Sequence, residues 1–322
     1  MAQSKLFTLL AKNEATPGVD AVPTPADNGI LVKDLVIKAV PKELLERLAN
    51  DPSFSQFALV VGGAIYEATF KVELKGSGTA NAGGATDIPE IDPLLRSMGF
   101  GVTLTAESGG GVGDGMIEYD PVSTGIETST IYGYEDGQLK KMLGCLVNTW
   151  RLNADAGKFG EIDMSVIGLY QDPIDAVTPP GIAFNATLPA PFKNANLTVD
   201  GYSPVFQKLS IDMGLTVATR FDANANEAII GFAVTGRSVQ GSVDPEQVLV
   251  ADYPLYTNWK SSKQMPFTGT LGEIDGNKIV ITGPKVQHRE ITPGNREGIA
   301  VNEWPLHFSR VSGDDEIKFT FQ

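Results

Sequence analysis

Two carboxylates on one face of a strand are the residues of this sequence best placed to do chemistry. Glu161 and Asp163 lie two residues apart in a run, Gly160 to Gly168, that alternates apolar and polar side chains. Alternation of period two is typical of a strand with one buried face, so both acids lie on its wet face. Such a pair could serve a glycosidase-like reaction, but no apolar pocket is evident that would give the two acids different roles. A solvated strand face is the favoured interpretation.

Other reactive residue types are few. Cys145 is the single cysteine, which excludes an intrachain disulfide framework and a zinc site built on cysteines. His288 and His307 each fall on a predicted strand, without carboxylate pairs at ligand spacing nearby. No P-loop, GxSxG or HExxH motif is present. We therefore predict no catalytic residue, no cofactor and no metal site.

The composition indicates a protein that does not grip DNA or cross a membrane. The 322 residues include 25 Lys and Arg against 39 Asp and Glu, a net charge of −14, with no dense basic run to neutralise phosphates. No segment approaches the roughly 20 apolar residues of a membrane span. The apolar run Leu6 to Ala11 is shorter than the core of a signal peptide, about 7–15 residues. We expect synthesis and folding in a cytoplasm.

A long β-hairpin is predicted over Leu143 to Tyr170. Its two runs flank the turn-forming cluster Ala154 to Lys158. A shorter hairpin, Thr130 to Leu143, precedes it around Asp136-Gly137, a dipeptide that favours a tight reversal.

The same order of hairpins recurs near the C-terminus. A short hairpin is predicted over Phe267 to Thr282 around Asp275-Gly276, and a long one over Lys278 to Arg310 with its turn at Pro293 to Asn295. Two hairpins in the same order at similar spacing indicate a duplicated domain.

Short helices are predicted beside these hairpins. Asp92 is expected to cap a helix that has Pro93 at its first position, and Pro254 to Lys263 is its counterpart in the second half. Pro41 is expected to begin another helix over Lys42 to Ala49.

The predicted fold class is mainly β. It consists of two duplicated β-sandwich or barrel domains, each with a short flanking α-helix. The first domain covers residues 1–170 with an N-terminal arm and long loops, a Pro-rich linker covers 171–205, and the second domain covers 206–322.

In its motifs and their order the chain resembles a known family, the major tail tube proteins of long-tailed bacteriophages and prophages, in a double-domain form. The N-terminal half matches well and the C-terminal half more loosely. None of the matching segments is a catalytic signature. They are Leu9 to Asp20, Glu73 to Thr79, Asp92 to Phe100, Glu118 to Val122, Ile131 to Gly137 and Ile167 to Pro173.

The resemblance implies a structural protein of the virion. Hairpins of neighbouring subunits would join into a β-barrel around a channel, and stacked rings would form the hollow tube through which DNA is ejected into the host. Single-domain relatives form hexameric rings, so a duplicated chain is expected to close as a homotrimer with pseudo-sixfold symmetry. Closure also removes exposed strand edges.

The resemblance also implies the partners and location. The expected partners are other copies of the chain, the tape measure protein, and the tail terminator and tip proteins. DNA would pass through the lumen without specific binding. The protein would be assembled in the host bacterial cytoplasm and reside in the virion tail.

Four polar residues are expected to face the lumen. An acidic lining repels phosphates, so DNA passes without sticking. The alternative, that these side chains meet the outside solvent, fits the alternation equally well. The residues are Glu161, Asp163, Ser165 and Asn302.

Two Gly-rich loops, 76–86 and 106–115, are expected to be mobile in the free subunit, and one or both are expected to order on the ring above. The candidate inter-ring residues are Gly109, Gly110, Gly111 and Gly113.

Other function classes remain open from sequence alone. A β-sandwich binding module, such as a glycan-binding or adhesin domain on a virion or cell surface, predicts exposed aromatic residues and a stable monomer. A hydrolase built on Glu161 and Asp163 predicts loss of activity on replacing either acid. Tube proteins of contractile injection machines are a further alternative within the structural class.

Overall fold

The computed structural model describes residues 6–79, 87–106 and 115–322, and the candidate inter-ring glycines 109–113 lie outside these ranges. In the first half the elements are β1 (Phe7–Asn13), β2 (Gly29–Ile30), β3 (Val32–Leu45), β4 (Val60–Glu73), α1 (Asp92–Arg96), β5 (Phe100–Thr105), β6 (Met116–Pro121), β7 (Ser129–Glu135), β8 (Gln138–Asp155), β9 (Glu161–Leu169) and β10 (Ile174–Asp175).

The second half is also mainly strand, which confirms the predicted fold class. Its elements are β11 (Thr198–Val199), β12 (Lys208–Asp212), β13 (Thr216–Phe221), β14 (Ile229–Gly236), β15 (Gln240–Val243), α2 (Leu255–Lys260), β16 (Met265–Leu271), β17 (Ile279–His288), β18 (Thr292–Arg296), β19 (Ile299–Ser309) and β20 (Lys318–Phe321).

The predicted hairpins of the first half are confirmed. Strands β8 and β9 pair in antiparallel register, with Arg151 opposite Asp163. Strands β7 and β8 are joined through Asp136 and Gly137, whose φ angles of 42° and 99° are both positive, as a two-residue hairpin turn requires.

The predicted turn of the C-terminal hairpin is wrong. Pro293 to Asn295 lies within β18, and the chain reverses two residues later at Glu297 and Gly298, with φ of 51° and 92°. The Gly298 amide donates to Asn295 Oδ1 at 2.9 Å, which closes the turn. Pro293 is tolerated in β18 because that strand pairs on one side only in the described chain, with β19.

The helix predicted over Lys42 to Ala49 is also wrong. Strand β3 continues through Pro41 as far as Leu45, which pairs with Val60 of β4. Every residue from 41 to 62 is exposed. A short helix needs a packed apolar face, and this segment has nothing to pack against.

The other two predicted helices are confirmed as α1 and α2, but Asp92 does not cap α1. Its buried carboxylate instead accepts hydrogen bonds from Tyr119 Oη at 2.7 Å and Arg96 Nε at 2.9 Å. Burial raises the pKa of Asp92 above its ordinary value, against the effect of Arg96. The residue therefore ties α1 to β6.

One antiparallel sheet runs through both halves of the chain. Its strands lie in the order β3, β4, β9, β8, β12, β15, β19, β17. Strands β1, β5, β6, β7, β16 and β20 contribute to the layer beneath it, and the two layers share one apolar core that includes Trp150 and Trp304. The arrangement is consistent with a β-sandwich.

Six strand pairings of the first half recur in the second half. The pairs β1–β7, β3–β4, β4–β9, β8–β9, β7–β8 and β8–β10 correspond in order to β11–β16, β12–β15, β15–β19, β17–β19, β16–β17 and β17–β20. The domain boundaries at 170 and 206 stay a prediction.

The segment predicted as a linker is packed onto the rest of the molecule. Phe192, Leu197 and Val199 are buried in the common core. The backbone carbonyl of Asn185 accepts a hydrogen bond from Lys75 Nζ at 2.7 Å. Residues 171–205 are therefore held against the rest of the molecule by buried side chains and by this hydrogen bond.

Candidate functional surface

One face of the long sheet is lined by polar side chains, and we call it the polar face. Because cross-strand partners lie on the same side of a sheet, its members follow from the strand register. One row across the strands consists of Lys33, Lys71, Asp163, Arg151, Asp212, Gln240, His307 and Gln287. The adjacent row consists of Glu73, Glu161, Asn153, Ser210 and Ser242.

The structure brings Glu161 and Asp163 together on the polar face and pairs each with a lysine. Lys33 Nζ lies 2.8 Å from Glu161 and 2.9 Å from Glu73, while Lys71 Nζ lies 3.3 Å from Asp163. The hydrogen bond from Lys33 lowers the pKa of Glu161. A general acid needs the opposite shift, so the arrangement favours a charge-balanced surface over a catalytic pair.

The other two lumen candidates are buried. Ser165 lies on the side of β9 that carries Asp163 and accepts a hydrogen bond from Thr149 Oγ1 at 2.9 Å. Asn302 is 5 % exposed and lies on the same side of β19 as buried Trp304. The exposed acid on the polar side of β19 is Glu303, which the alternation of β19 could have identified.

At the end of the sheet away from Glu161 and Asp163, the same face carries apolar side chains and is covered by a hairpin. Ile65, Leu146 and Ile167 pack against Ile229 and Phe232 of the hairpin formed by β13 and β14. A hairpin of the second half thus packs on the sheet of the first half. Only the uncovered end of the face is available to line a channel.

The first half has a projecting hairpin that sequence reasoning missed, and we call residues 41–62 the arm. The arm extends from the paired ends of β3 and β4. Phe54 and Leu48 on it are 109 % and 90 % exposed. Exposed apolar side chains concentrated on one segment indicate an interaction site.

Strands β3 and β18 each leave one edge unpaired in the described chain. In the described ranges, β3 pairs with β4 alone and β18 with β19 alone. Between them, the two halves meet where β12 pairs with β8, from Lys208 opposite Asp155 to Asp212 opposite Arg151. An unpaired edge exposes backbone donors and acceptors that favour pairing with another chain.

A histidine is buried beneath the polar face near the β18 edge. His288 is 6 % exposed, its Nε2 lies 3.0 Å from the hydroxyl of Tyr253, and its ring meets Trp304 edge-on at 5.1 Å. Burial lowers the pKa of His288 to about 4. The residue is therefore neutral in the folded chain at neutral pH.

Folding stability is expected to fall as the pH drops from about 6.5 toward 4. In the unfolded chain His288 takes up a proton near pH 6.5, whereas the folded chain resists it, so protons favour unfolding. The shift corresponds to a loss on the order of 3 kcal/mol at the acid end. Urea unfolding between pH 7 and pH 5 measures it. The variant H288F should flatten this slope and H307Q should retain it; equal slopes in H288F and the native chain would contradict the assignment.

The described residues form neither a metal site nor a membrane-spanning helix. Among the residues that the structure places, no three His, Cys, Asp or Glu side chains are grouped so as to hold a metal ion. In those same ranges, none of the helices has the length and hydropathy to span a membrane.

Comparison with known proteins gives the family. The family model described as phage tail tube protein matches residues 7–317, which is nearly the whole chain. No curated protein matches the chain. The match agrees with the β-rich fold. The chain belongs to the phage tail tube protein family and is a structural component of the virion tail.

Proposed function

We propose that three copies of this chain close into a ring with pseudo-sixfold symmetry, and that the rings stack into the hollow tube through which DNA enters the host. The recurrence of six strand pairings in the two halves carries this proposal. A duplicated chain supplies two equivalent units, so three copies provide the six units of the rings expected for single-domain relatives.

The junction between the two halves is the template for the contact between subunits. Within one chain, the first sheet strand of the second half, β12, pairs with β8 at the end of the first half. The strands at the outer edges that correspond to β12 and to the end of β8 are β3 and β18, and in the described ranges each pairs on one side only. Pairing β3 of one copy with β18 of the next repeats the junction and closes the sheet into a barrel.

The polar face would line the lumen of this barrel. Its apolar opposite face is already buried against the second layer, so only the polar side can meet water in the channel. The pairing of Glu161 and Asp163 with lysines makes the lining nearly neutral around these acids. DNA would slide past such a wall without specific binding.

Assembly would take place in the cytoplasm of the host bacterium. The remaining partners follow from the role: a tape measure protein inside the growing tube, and terminator and tip proteins at its ends. The chain itself would carry no enzymatic activity.

The first experiment is mass photometry and negative-stain electron microscopy of the purified chain after concentration. We expect species with the mass of three chains and stacked hollow rings. A persistent monomer at every concentration would contradict the proposal and would favour a β-sandwich binding module, which a glycan screen would then test.

A cysteine pair tests the register of the subunit contact. Ser210 lies opposite Asn153 in the internal junction. From the strand registers, we take Val36 of β3 and Gly294 of β18 as the equivalent positions. The double variant V36C/G294C should therefore yield covalent trimers on oxidation, because each ring contains three such contacts. Non-reducing gel electrophoresis measures the product.

The internal junction supplies the matched control for this experiment. The variant S210C/N153C should form its crosslink within one chain and remain a covalent monomer. The only native cysteine, Cys145, is buried and contributes no background. Rings in which V36C/G294C stays uncrosslinked, while the control reacts, would rule out this register.

A further inference from the structure

The arm presents more apolar surface than any role within one chain explains. Every residue from 41 to 62 is exposed. The Cζ atom of Arg47 lies 5.4 Å from the ring centroid of Phe57, but Arg47 leaves the other apolar side chains of the arm uncovered. A monomeric protein rarely keeps so many large apolar side chains together in water. The exposed ones are Leu44, Leu45, Leu48, Phe54, Phe57, Leu59, Val60 and Val61.

An apolar pocket lies at the other end of the molecule, and we call it the end pocket. It has a volume of about 420 Å³ and sits between the turn that joins β8 to β9 and the turn that joins β16 to β17. Leu188 and Ile274 on its wall are 82 % and 76 % exposed. The lining residues that give its apolar character are Phe159, Leu188, Pro189, Ala190, Pro191 and Ile274.

The arm and the end pocket lie at opposite ends of the same sheet. Strand β4 begins in the arm at Val60 and runs for 14 residues to Glu73, which pairs with Glu161 beside Phe159 of the pocket. At about 3.3 Å per residue this strand spans roughly 45 Å. The arm therefore points away from the pocket of its own chain.

We propose that the arm of one copy binds the end pocket of a copy in the adjacent ring, with Phe54 in the pocket. The proposal rests on the stacked rings of the proposed function. A contact between two different surfaces of the same molecule does not close on itself and generates an open filament. This is the type of contact that the growth of a tube along its axis requires.

Both surfaces are apolar with charges of each sign at hand for pairing. The pocket wall carries Lys193 and Glu273. The arm carries acids at Glu43, Glu46 and Asp51 and bases at Lys42 and Arg47. An acid of the arm can thus pair with Lys193 while Arg47 pairs with Glu273, and the aromatic residue lies between them. Such rim pairs would fix the orientation of the arm more than its affinity.

Replacing Phe54 by alanine separates stacking from ring closure. The variant F54A should still form rings of three by mass photometry, because Phe54 lies between β3 and β4 in the chain and belongs to neither β3 nor β18. Its critical concentration for tube formation, measured by sedimentation, should rise at least tenfold. The matched control is F221A, which removes a phenylalanine that is 58 % exposed on β13, outside the arm. Tube formation by F54A at the native concentration would overturn the proposal.

A crosslink identifies the pocket as the site that the arm occupies. In the variant S55C/I274C, Phe54 stays in place and the new thiols flank the contact. Oxidation of assembled tubes should give covalent ladders that extend beyond three chains, since each link joins two rings. Tubes without the crosslink, or products confined to a single ring, would overturn this inference alone. Failure of the native chain to form either rings or tubes would overturn it together with the proposed function.

Discussion

Replacing Lys75 by methionine is expected to destabilise the chain by about 3–5 kcal/mol, the range for breaking a buried ion pair. Lys75 is 2 % exposed, and its Nζ lies 3.2 Å from Oε1 of Glu90 and 2.7 Å from the carbonyl of Asn185. Burial raises the pKa of Glu90, which Lys75 opposes. Methionine fills the space of the lysine but leaves the carboxylate of Glu90 buried without a cation.

An exposed lysine four residues earlier in the chain provides the control. Lys71 pairs with Asp163 at 3.3 Å, but both side chains are more than 40 % exposed, so K71M should change stability by less than about 1 kcal/mol. The double variant K75M/E90Q should recover part of the loss, because it also removes the unpaired charge. Urea denaturation of the four proteins measures these differences. Equal stability of K75M and K71M would contradict the buried pair.

The destabilisation caused by K75M is expected to extend from Lys75 to the end pocket. The amide of Gly76 donates to Asn277 Oδ1 at 2.9 Å, and Asn185 Nδ2 donates to the Gly76 carbonyl at 2.8 Å. Asn277 lines the pocket, and Asn185 belongs to the segment that leads into its wall. We therefore expect K75M to impair stacking before it impairs ring closure.

Features of the fold that depend on neighbouring residues were predictable from the sequence. The turn at Asp136 and Gly137 needs two residues that accept positive φ, and the dipeptide provides them. Alternation along β9 placed Glu161 and Asp163 on one face. Both inferences use spacing within a single hairpin.

Features that depend on register or on a missing partner were not predictable. The C-terminal reversal lies at Gly298 and not at Pro293, and a shift of register by one residue moves a side chain to the opposite face of a strand. Asn302 is accordingly buried, whereas Glu303 is exposed. Pro41 resembled a helix start because its fixed φ suits a first turn as well as an edge strand.

The neutralisation of the acids also lay beyond sequence reasoning. Lys33 of β3 donates a hydrogen bond to Glu161 of β9, 128 residues away in the sequence. Only the folded sheet brings these two strands close together. Local sequence patterns identify which side chains are exposed to solvent. They do not identify which charges face one another.

Slower DNA release is the expected result of replacing Glu161 and Asp163 together by lysine. Lys71 would lose its partner Asp163, and Lys33 would keep only Glu73, so the lining would gain two new cations beside one unpaired lysine. Each cation held near DNA displaces a counterion, which makes retention favourable and strongly dependent on salt. Ring formation should persist, because these exposed ion pairs contribute only about 0–1 kcal/mol each.

The measurement is the time course of DNA release from virions that carry the variant, at low and at high salt. E161Q/D163N should slow release less, since it removes the two negative charges without adding cations. D172K/D175K makes the same change in total charge on exposed residues of the segment that follows β9, outside both rows of the polar face, and should leave release unchanged. If E161K/D163K releases DNA at the native rate, or if the control slows it equally, the polar face does not line the channel. Slowing that appears only in E161K/D163K and disappears at high salt would assign the lumen to this face, because only a charge within a Debye length of about 10 Å can act on the passing DNA.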